Sequence, residues 1–386
     1  MDRLKRKNRG NPVDRLRGAS APSKIDMTNP TVSGVDLGDS LSLATVLSPS
    51  GDVLDKFTFK MDSEGYRLAA DRLPEGTKIA CEAMGTTYPF VRAMQGEYGF
   101  DVTVANPKQL AWIAKSKKKS DKIDSLKLAK LHQVGMLPEA HLLTKEEQLT
   151  RDLLIQRVRL GEDARKLKHR ILSYLKREGL NEKLPQMSDN FSLKRRRAIR
   201  SLSLGDERDL VIKSMTDRLE FLEEQCIPFE AAIKGRAKEN EDVKILMSIQ
   251  GLDFYLASLL PSFIGDANRF PSDNELASSF GIVPAERESS GVKKMGRMSR
   301  EGPAMARWAL GVAADRVRDN NEQIRTYYLQ VKKRTGKAKK ARVATMRKLL
   351  RMMYFMLKTR QNWKWEDPEL TRAKISRLDS TTGGAS

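Results

Sequence analysis

The sequence is poor in the residues that form disulfides, zinc sites and histidine-based catalytic centres. Its 386 residues include two cysteines, Cys81 and Cys226, and three histidines. Two cysteines cannot build a disulfide framework and are too few for a structural zinc site, so a reducing, cytoplasmic setting is expected. The histidines lie far in sequence from the serine-rich segment near residue 290, which argues against a Ser-His-Asp acyl-transfer triad.

Long apolar runs are also missing. The chain has no run of roughly 18 or more apolar residues, and its basic start, MDRLKRKNRGNPVDRLRG, is not followed by an apolar segment. Neither a membrane span nor a secretory signal is therefore predicted, and a membrane is not expected as a partner. A GxxxxGK[ST] loop for nucleotide phosphates is absent as well.

Positive charge is what the sequence has in excess. Lys and Arg number 71 against 50 Asp and Glu, a net charge of +21, while 39% of the residues are hydrophobic. A folded protein with a polyanionic partner, DNA or RNA, is the expectation. The basic residues are concentrated in four segments: the N-terminal arm, residues 115–119, residues 194–197 and residues 332–348.

Sequence patterns divide the chain into five regions. Residues 1–30 are predicted to be a basic flexible arm, either merely solvated or binding phosphates. Residues 31–142 begin with three short β-rich runs, typical of an antiparallel meander, and continue with alternating strands and helices; a mixed α/β sheet is predicted. Residues 143–241 carry almost no strand signal. Residues 242–362 are predicted to be a mainly α domain, and residues 363–386 a tail.

Two long amphipathic helices are predicted in residues 143–241, separated by a loop near Pro185. The apolar stripe of the first helix is expected to contain Leu153, Leu160, Ala164, Leu167, Ile171 and Leu175. Such helices could form a helical hairpin or an intermolecular coiled coil, or an ordinary subdomain folded on its own chain; periodicity alone leaves these open.

Four carboxylates occupy positions from which they could meet. Asp36 ends the first predicted strand, with glycines on either side that could admit a ligand, and Glu82 ends the strand KIACEAMG. Asp121 and Asp124, three residues apart, share one face at the start of a helix. Clustered carboxylates repel unless a cation lies among them, and hard oxygen ligands favour Mg²⁺, or Mn²⁺. Alternatively, each acid is only a helix cap or a surface charge.

The segment ESSGVKKMGRMSREGP places Ser289, Ser290 and Ser299 among glycines and basic residues, which is typical of a phosphate cradle. A serine here could attack phosphorus or could simply donate a hydrogen bond to a phosphate. The residues alone favour the second role.

The combined motifs resemble those of a known family. The order GVDLG, CEAMGTTY, VTVANPKQL, SDKIDSLKLAKL and GMLPE is similar to the RuvC-like (RNase H-like) DEDD domain of the one-ten family of insertion-sequence transposases, which are bridge-RNA-guided recombinases. IQGLDFYLASLLPSFIGDANRFPSDNELASSFGIVPAERESSG and GRMSREGPAMARWAL are similar to the family's C-terminal transposase domain. The resemblance covers residues 32–357 and implies a coiled coil between the two domains.

The resemblance implies a role for each candidate residue. Asp36, Glu82, Asp121 and Asp124 would bind magnesium, and Ser289 would be the nucleophile that forms a covalent phosphoserine with DNA, an assignment that could shift to Ser290. The implied partners are donor and target DNA, a structured non-coding guide RNA, and further copies of the chain in a dimer or tetramer. The implied setting is the prokaryotic cytoplasm, at the nucleoid when active.

Two rival functions remain open from the sequence. In a RuvC-like nuclease, metal ions would activate water and the serine would only hold a phosphate. In a non-catalytic RNA-binding scaffold, the four acids would be structural.

Overall fold

The computed structural model describes residues 31–107, 109–110, 121–289 and 292–379; within these ranges the side chains of residues 121–123, 285–289, 292–295 and 379 are not described. The basic arm and residues 115–119 therefore lie outside the described residues. The chain divides between Leu142 and Leu143 into two compact units.

The first unit is built on a five-stranded mixed sheet, as the sequence predicts. The strands are β1 (Val32–Asp36), β2 (Leu41–Leu47), β3 (Val53–Lys60), β4 (Lys78–Glu82) and β5 (Asp101–Ala105). They lie in the order β3-β2-β1-β4-β5. The first three form the antiparallel meander, whereas β4 is parallel to both β1 and β5.

Helices cover both faces of this sheet. Helices α1 (Ser63–Arg72) and α2 (Thr87–Arg92), the latter continued by a π-helical turn at Ala93–Glu97, pack on one face around Phe59, Tyr66 and Phe90. Helix α3 (Asp121–Gln133) packs on the other face, where Leu128 and Ala129 are buried. Apolar residues on both sides of β1 and β4 explain why their sequences read as short continuous apolar runs.

Two helices of 33 residues begin the second unit: α4 (Lys145–Arg177) and α6 (Glu207–Glu239). Leu154, near the start of α4, shares a core with Ile233, near the end of α6, and Ile171 shares another with Ile212. The two helices are therefore antiparallel and pack on each other within one chain. Between them lie a 3-10 turn (Leu180–Lys183) and the short helix α5 (Leu193–Arg200).

The predicted apolar stripe of α4 is correct only in its second half. Ala164, Leu167, Ile171 and Leu175 are buried, but Leu153 and Leu160 are partly exposed, and Leu154 and Val158 are buried instead. The contacting face turns because the first half of α4 also packs on helix α8 (Phe254–Ile264), where the Tyr255 hydroxyl donates a hydrogen bond to the Leu154 carbonyl over 3.0 Å.

The rest of the second unit is mostly helical, as predicted. In chain order, its remaining elements are α7 (Glu241–Met247), a 3-10 turn (Ala267–Arg269), α9 (Asp273–Ser279), β6 (Pro284–Ser289), β7 (Val292–Met298), α10 (Ala304–Asn320), α11 (Glu322–Thr335), α12 (Ala338–Thr359) and α13 (Pro368–Asp379). The antiparallel β6–β7 hairpin was not predicted. Its strands are short and rich in charged residues, so they lack the apolar alternation that signals a strand.

The structure differs from the predicted tail at residues 363–386. Trp363 is buried in the core of the second unit, and so is Leu378, which lies in the last turn of α13. The Trp363 backbone N–H donates a hydrogen bond to the Ser248 hydroxyl over 2.8 Å. The Lys374 ammonium donates to the carbonyls of Met247 and Ile249, each over 2.8 Å, and so caps the end of α7. This packing was not predicted because α13 consists mostly of polar residues.

Candidate active site

Asp36 and Glu82 lie at the same edge of the sheet. In the parallel pairing of β1 with β4, Val35 is opposite Cys81, and Asp36 and Glu82 are the next residue of each strand. Both side chains are partly exposed, so a solute can reach them, and each also interacts with a neighbouring group. The carboxyl ends of adjacent parallel strands are a frequent location for ligand sites.

The N-terminal end of helix α3 lies toward this edge of the sheet. Its first part crosses β1 at Gly34, where an added Cβ would lie 2.0 Å from the Ser125 carbonyl oxygen. Its last residue, Gln133, donates hydrogen bonds to the carbonyls of Ser48 and Pro49, beyond the opposite end of β1. The helix therefore runs antiparallel to β1, and its first residues are those nearest the end of β1 that carries the acid.

Asp124 is the described carboxylate of this helix end. Its side chain is 42% exposed and lies 3.4 Å from the Lys127 ammonium. Ser125, the next residue, is buried, and its hydroxyl is hydrogen-bonded to that of Thr45 over 2.8 Å. This contact fixes the helix to β2 one residue after the acid. The Asp121 side chain lies outside the described part of the structure.

The donor set is suited to a hard divalent cation, since it consists of carboxylates without histidine or thiolate. Among the side chains that the structure describes, however, no three acidic, histidine or cysteine side chains are grouped closely enough to hold a metal ion. The Cys81 thiol is not a competing ligand or nucleophile, because burial raises its pKa to about 12. The described geometry is therefore a pair of carboxylates at one strand edge, with Asp124 on the helix end directed toward it; the Asp121 carboxylate lies outside the described side chains.

Both glycines beside Asp36 have a structural explanation. Gly34 admits the backbone of α3, and at Gly38 an added Cβ would lie 2.2 Å from the Leu41 carbonyl oxygen. The interpretation that these glycines make room for a ligand is wrong at both positions, because protein backbone already occupies the space. The Thr45–Ser125 hydroxyl pair is a supporting contact that sequence reasoning missed. Gly34 was noticed but given the wrong role, although a glycine inside a strand often marks the close approach of another backbone.

Ser289 is the last residue of β6, at the tip of the β6–β7 hairpin, where its Cα is paired with that of Val292. Its side chain and the whole of Ser290 lie outside the described residues. Glu288 is opposite Lys293, and Arg287 is opposite Lys294, so basic residues of β7 line the strand that carries the serine. The Ser299 hydroxyl, in contrast, is buried at the other end of the hairpin.

The base of this hairpin is tightly packed. Gly281 has a φ of 65°, and an added Cβ there would lie 2.7 Å from the backbone nitrogens of Glu301 and Gly302. The Arg307 guanidinium donates hydrogen bonds to the carbonyls of Gly302 and Phe280, and burial lowers its pKa. The hairpin therefore projects from a base whose backbone positions are fixed on both sides.

Two family models match separate parts of the chain. Residues 33–178 match the DEDD transposase model of the IS110 type, described as Transposase, and residues 243–329 match the model described as Transposase IS116/IS110/IS902 family. The first match suggests a divalent metal cofactor. Within the described ranges no helix is both long and apolar enough to cross a membrane.

Two relatives cover different shares of the chain. A protein of Pseudomonas aeruginosa, named a probable family 20 transposase, is 24% identical over 150 residues, which are 38% of this chain and 44% of that protein. The transposase for insertion sequence element IS1111A of Coxiella burnetii is 23% identical over 286 residues, 72% of this chain and 75% of that protein. With two family models matched in the order that the sequence motifs predict, the chain belongs to the IS110 family of insertion-sequence transposases.

Proposed function

We propose that this protein is a magnesium-dependent DNA recombinase that cleaves and rejoins DNA strands during transposition of an insertion sequence. In this proposal Asp36, Glu82, Asp121 and Asp124 hold the metal, with Mn²⁺ as a possible substitute, and Ser289 is the nucleophile. The observation that carries the proposal is the common location of the Asp36 and Glu82 strand ends, toward which the acidic end of α3 points.

The four carboxylates would act together. Without a cation, their mutual repulsion would oppose bringing the four groups together. A bound Mg²⁺ would supply charge stabilisation for a phosphodiester undergoing in-line displacement. The buried Thr45–Ser125 contact supports the proposal, because it holds the helix-borne acids against the sheet that carries the other two.

Ser289 would react by transesterification. A bond forms between its Oγ and phosphorus, one bridging P–O bond of the DNA breaks, and the serine proton goes to the released DNA hydroxyl. Attack by a hydroxyl of the second DNA strand reverses these changes and frees the serine. The number of phosphoester bonds is conserved, so strand exchange requires no ATP, in keeping with the missing P-loop.

The remaining proposals follow from the family. A structured non-coding RNA would select donor and target DNA by base pairing, and the protein would contact mainly backbone. Two or four copies of the chain would assemble through the long helices α4 and α6, and the serine and the acids would form a composite site from different protomers. The protein would act in the prokaryotic cytoplasm at the nucleoid.

Covalent trapping tests the nucleophile. The full chain is expressed in bacteria with the DNA that flanks its gene, and protein–DNA adducts are isolated under denaturing conditions. Adduct should form with the wild type and fall by about a hundredfold or more in Ser289→Ala. Ser290→Ala and Ser299→Ala are the matched controls and should retain it.

Each other outcome rejects a specific part of the proposal. Full adduct in Ser289→Ala with loss in Ser290→Ala would move the nucleophile by one residue. Metal-dependent cutting without any adduct would identify a RuvC-like nuclease that uses activated water. If Asp36→Asn and Asp124→Asn both left recombination in cells unchanged, the acids would be structural and the protein a scaffold.

A further inference from the structure

Two basic segments of similar composition have different roles in the structure. In α5, Arg195 is 5% exposed and donates hydrogen bonds to the Pro185 carbonyl and the Asn181 side chain. Arg196 forms an ion pair with Glu223, and Arg200 forms ion pairs with Asp217 and Glu220. Two of the five cations of α5 are therefore paired with acids of the same chain, and a third is buried on neutral acceptors.

The segment that joins α11 to α12 is not compensated in this way. No acidic residue occurs between Glu322 and Glu366. Six cationic residues in this segment are exposed, and within the described residues none of them makes an ion pair. We call this surface the basic turn; its members are Lys332, Lys333, Arg334, Lys337, Lys339 and Lys340.

The fold brings these residues to one end of a helix pair. Helix α11 ends at Gly336, whose φ of 66° reverses the chain, and α12 begins two residues later and packs on α11. Three of the cations thus lie in the last turn of one helix, and the others lie at the start of the next. Their charges add at one location instead of being spread along an extended segment.

Helix stability explains the position of only half of the cations in the basic turn. The cations in the last turn of α11 interact favourably with the helix dipole. Those at the start of α12 do not: Lys337 is the N-cap residue and makes no side-chain capping bond, and Lys339 and Lys340 lie in a first turn without an acidic residue. Positive charge at a helix N-terminus is unfavourable. Binding of an external anion therefore explains the cations at the start of α12 better than helix stability does.

We propose that the basic turn binds the phosphate backbone of duplex DNA without reading its sequence. The duplex form is favoured because the two rings of α11, both within the described residues, already have a cation over them and are less suited to stacking on bases: Lys348 lies over the Tyr327 ring at 4.1 Å, and Arg318 lies over Tyr328 at 5.0 Å. Lysine ammonium groups act as point charges toward phosphates, which suits backbone contact. That the polyanion is DNA rests on the proposed function.

Salt dependence of binding tests this surface in the full chain. The probe is a fluorescent DNA duplex of arbitrary sequence, titrated by anisotropy at several salt concentrations. The test variant changes Lys333, Lys337, Lys339 and Lys340 to Gln. The control variant changes four exposed cations of α4 to Gln, which removes the same net charge; they are Arg159, Arg165, Arg170 and Lys176.

The test variant should lower the slope of log K against log salt by about 3 to 4, because each lost phosphate contact removes about one unit. Its affinity should fall by about tenfold or more at moderate salt. The control should change the slope by less than about one unit. Replacing the same four lysines by arginine should preserve the slope, and this rescue excludes a folding defect as the cause.

Three outcomes would overturn the inference: equal slope changes in the test and control variants, no rescue by arginine, or a slope change with duplex RNA but not with duplex DNA. The measurement needs no catalysis. Absence of cleavage or adduct in the wild type would reject the proposed function and leave the salt slopes interpretable, so the two failures are distinguishable.

Discussion

The missing side chain of Gly34 allows the carbonyl oxygen of Ser125 to approach β1 so closely that an added Cβ would lie 2.0 Å from it. A second backbone atom, the Ala129 nitrogen, would lie 2.4 Å away. Neither contact involves a flexible side chain that could turn aside. The position of α3 on the sheet, and with it the position of Asp124, therefore depends on this glycine.

Gly34→Ala should displace α3 and lower the free energy of unfolding by about 1–3 kcal/mol, the usual cost of overpacking a core. Strand cleavage should fall even at temperatures where the variant is folded. Gly96→Ala is the matched control, because an added Cβ there meets nothing within 4 Å. Thermal unfolding and the adduct assay measure the two effects; an unchanged Gly34→Ala protein would contradict the described packing.

His132 should make stability depend on pH. Burial lowers its pKa below the ordinary 6.5, and its Nε2 is buried with no hydrogen-bond partner among the described residues. Below pH 6.5 the unfolded chain therefore binds a proton that the folded chain does not, so stability falls as pH decreases toward the folded-state pKa. The contribution is at most about 1.4 kcal/mol per pH unit.

The contribution of His132 is tested by comparing the pH dependence of stability between the wild type and the His132→Gln variant. Denaturant unfolding from pH 7 to about 5 should give a steeper loss for the wild type than for His132→Gln, since carboxylates titrate equally in both. Equal slopes would show that His132 does not couple folding to protons in this range.

Lys374→Met should destabilise the second unit. The variant keeps the aliphatic part of the side chain but removes the ammonium that donates to the carbonyls of Met247 and Ile249. Leaving such acceptors unsatisfied costs about 1–3 kcal/mol. Lys364→Met, at an exposed position, is the control and should unfold like the wild type. If both variants were equally stable, α13 would be a dispensable tail after all.

Metal removal should have a thermal signature that is independent of activity. An ion that binds only the folded state stabilises it by RT ln(1 + [L]/Kd), so Mg²⁺ should raise the melting temperature and EDTA should reverse the rise. Asp124→Asn should reduce or abolish this shift. Asp163→Asn, which removes an exposed acid paired with Lys166, should keep it; loss of the shift in both would indicate non-specific ion effects.

Hydrophobic patterning and turn residues were sufficient to predict most elements of this fold. The meander, the parallel β4 and β5, the two long helices and the helices between residues 242 and 359 follow from periodicity and chain breaks. The strand-end positions of Asp36 and Glu82 were predictable for the same reason, since each acid directly follows a short apolar run. The family of the chain was predictable from ordered motifs.

The structural features that could not be predicted from the sequence depend on contacts between residues that are distant along the chain. The buried face of α4 changes at Leu154 because α8 packs there. The glycines beside Asp36 lie against the backbone of other residues, and these contacts cannot be predicted from hydrophobic periodicity. Helix α5 and the basic turn are both rich in cations, but only in α5 are some of these cations, Arg196 and Arg200, paired with acids. Those acids lie on α6, which is distant along the chain.

The parallel pairing of β1 with β4 has a consequence for how the candidate site would fail. Main-chain hydrogen bonds join the strands that carry Asp36 and Glu82, whereas α3 is held to the sheet by side-chain packing, by the hydroxyl pair with Thr45 of β2 and by the Gln133 hydrogen bonds. Because local openings need less energy than global melting, we predict that the helix detaches from the sheet while the ladder stays intact. On warming, we expect the affinity for the proposed metal ion to be lost when α3 detaches, before the sheet unfolds. There should then be a temperature interval in which the protein is still folded but inactive.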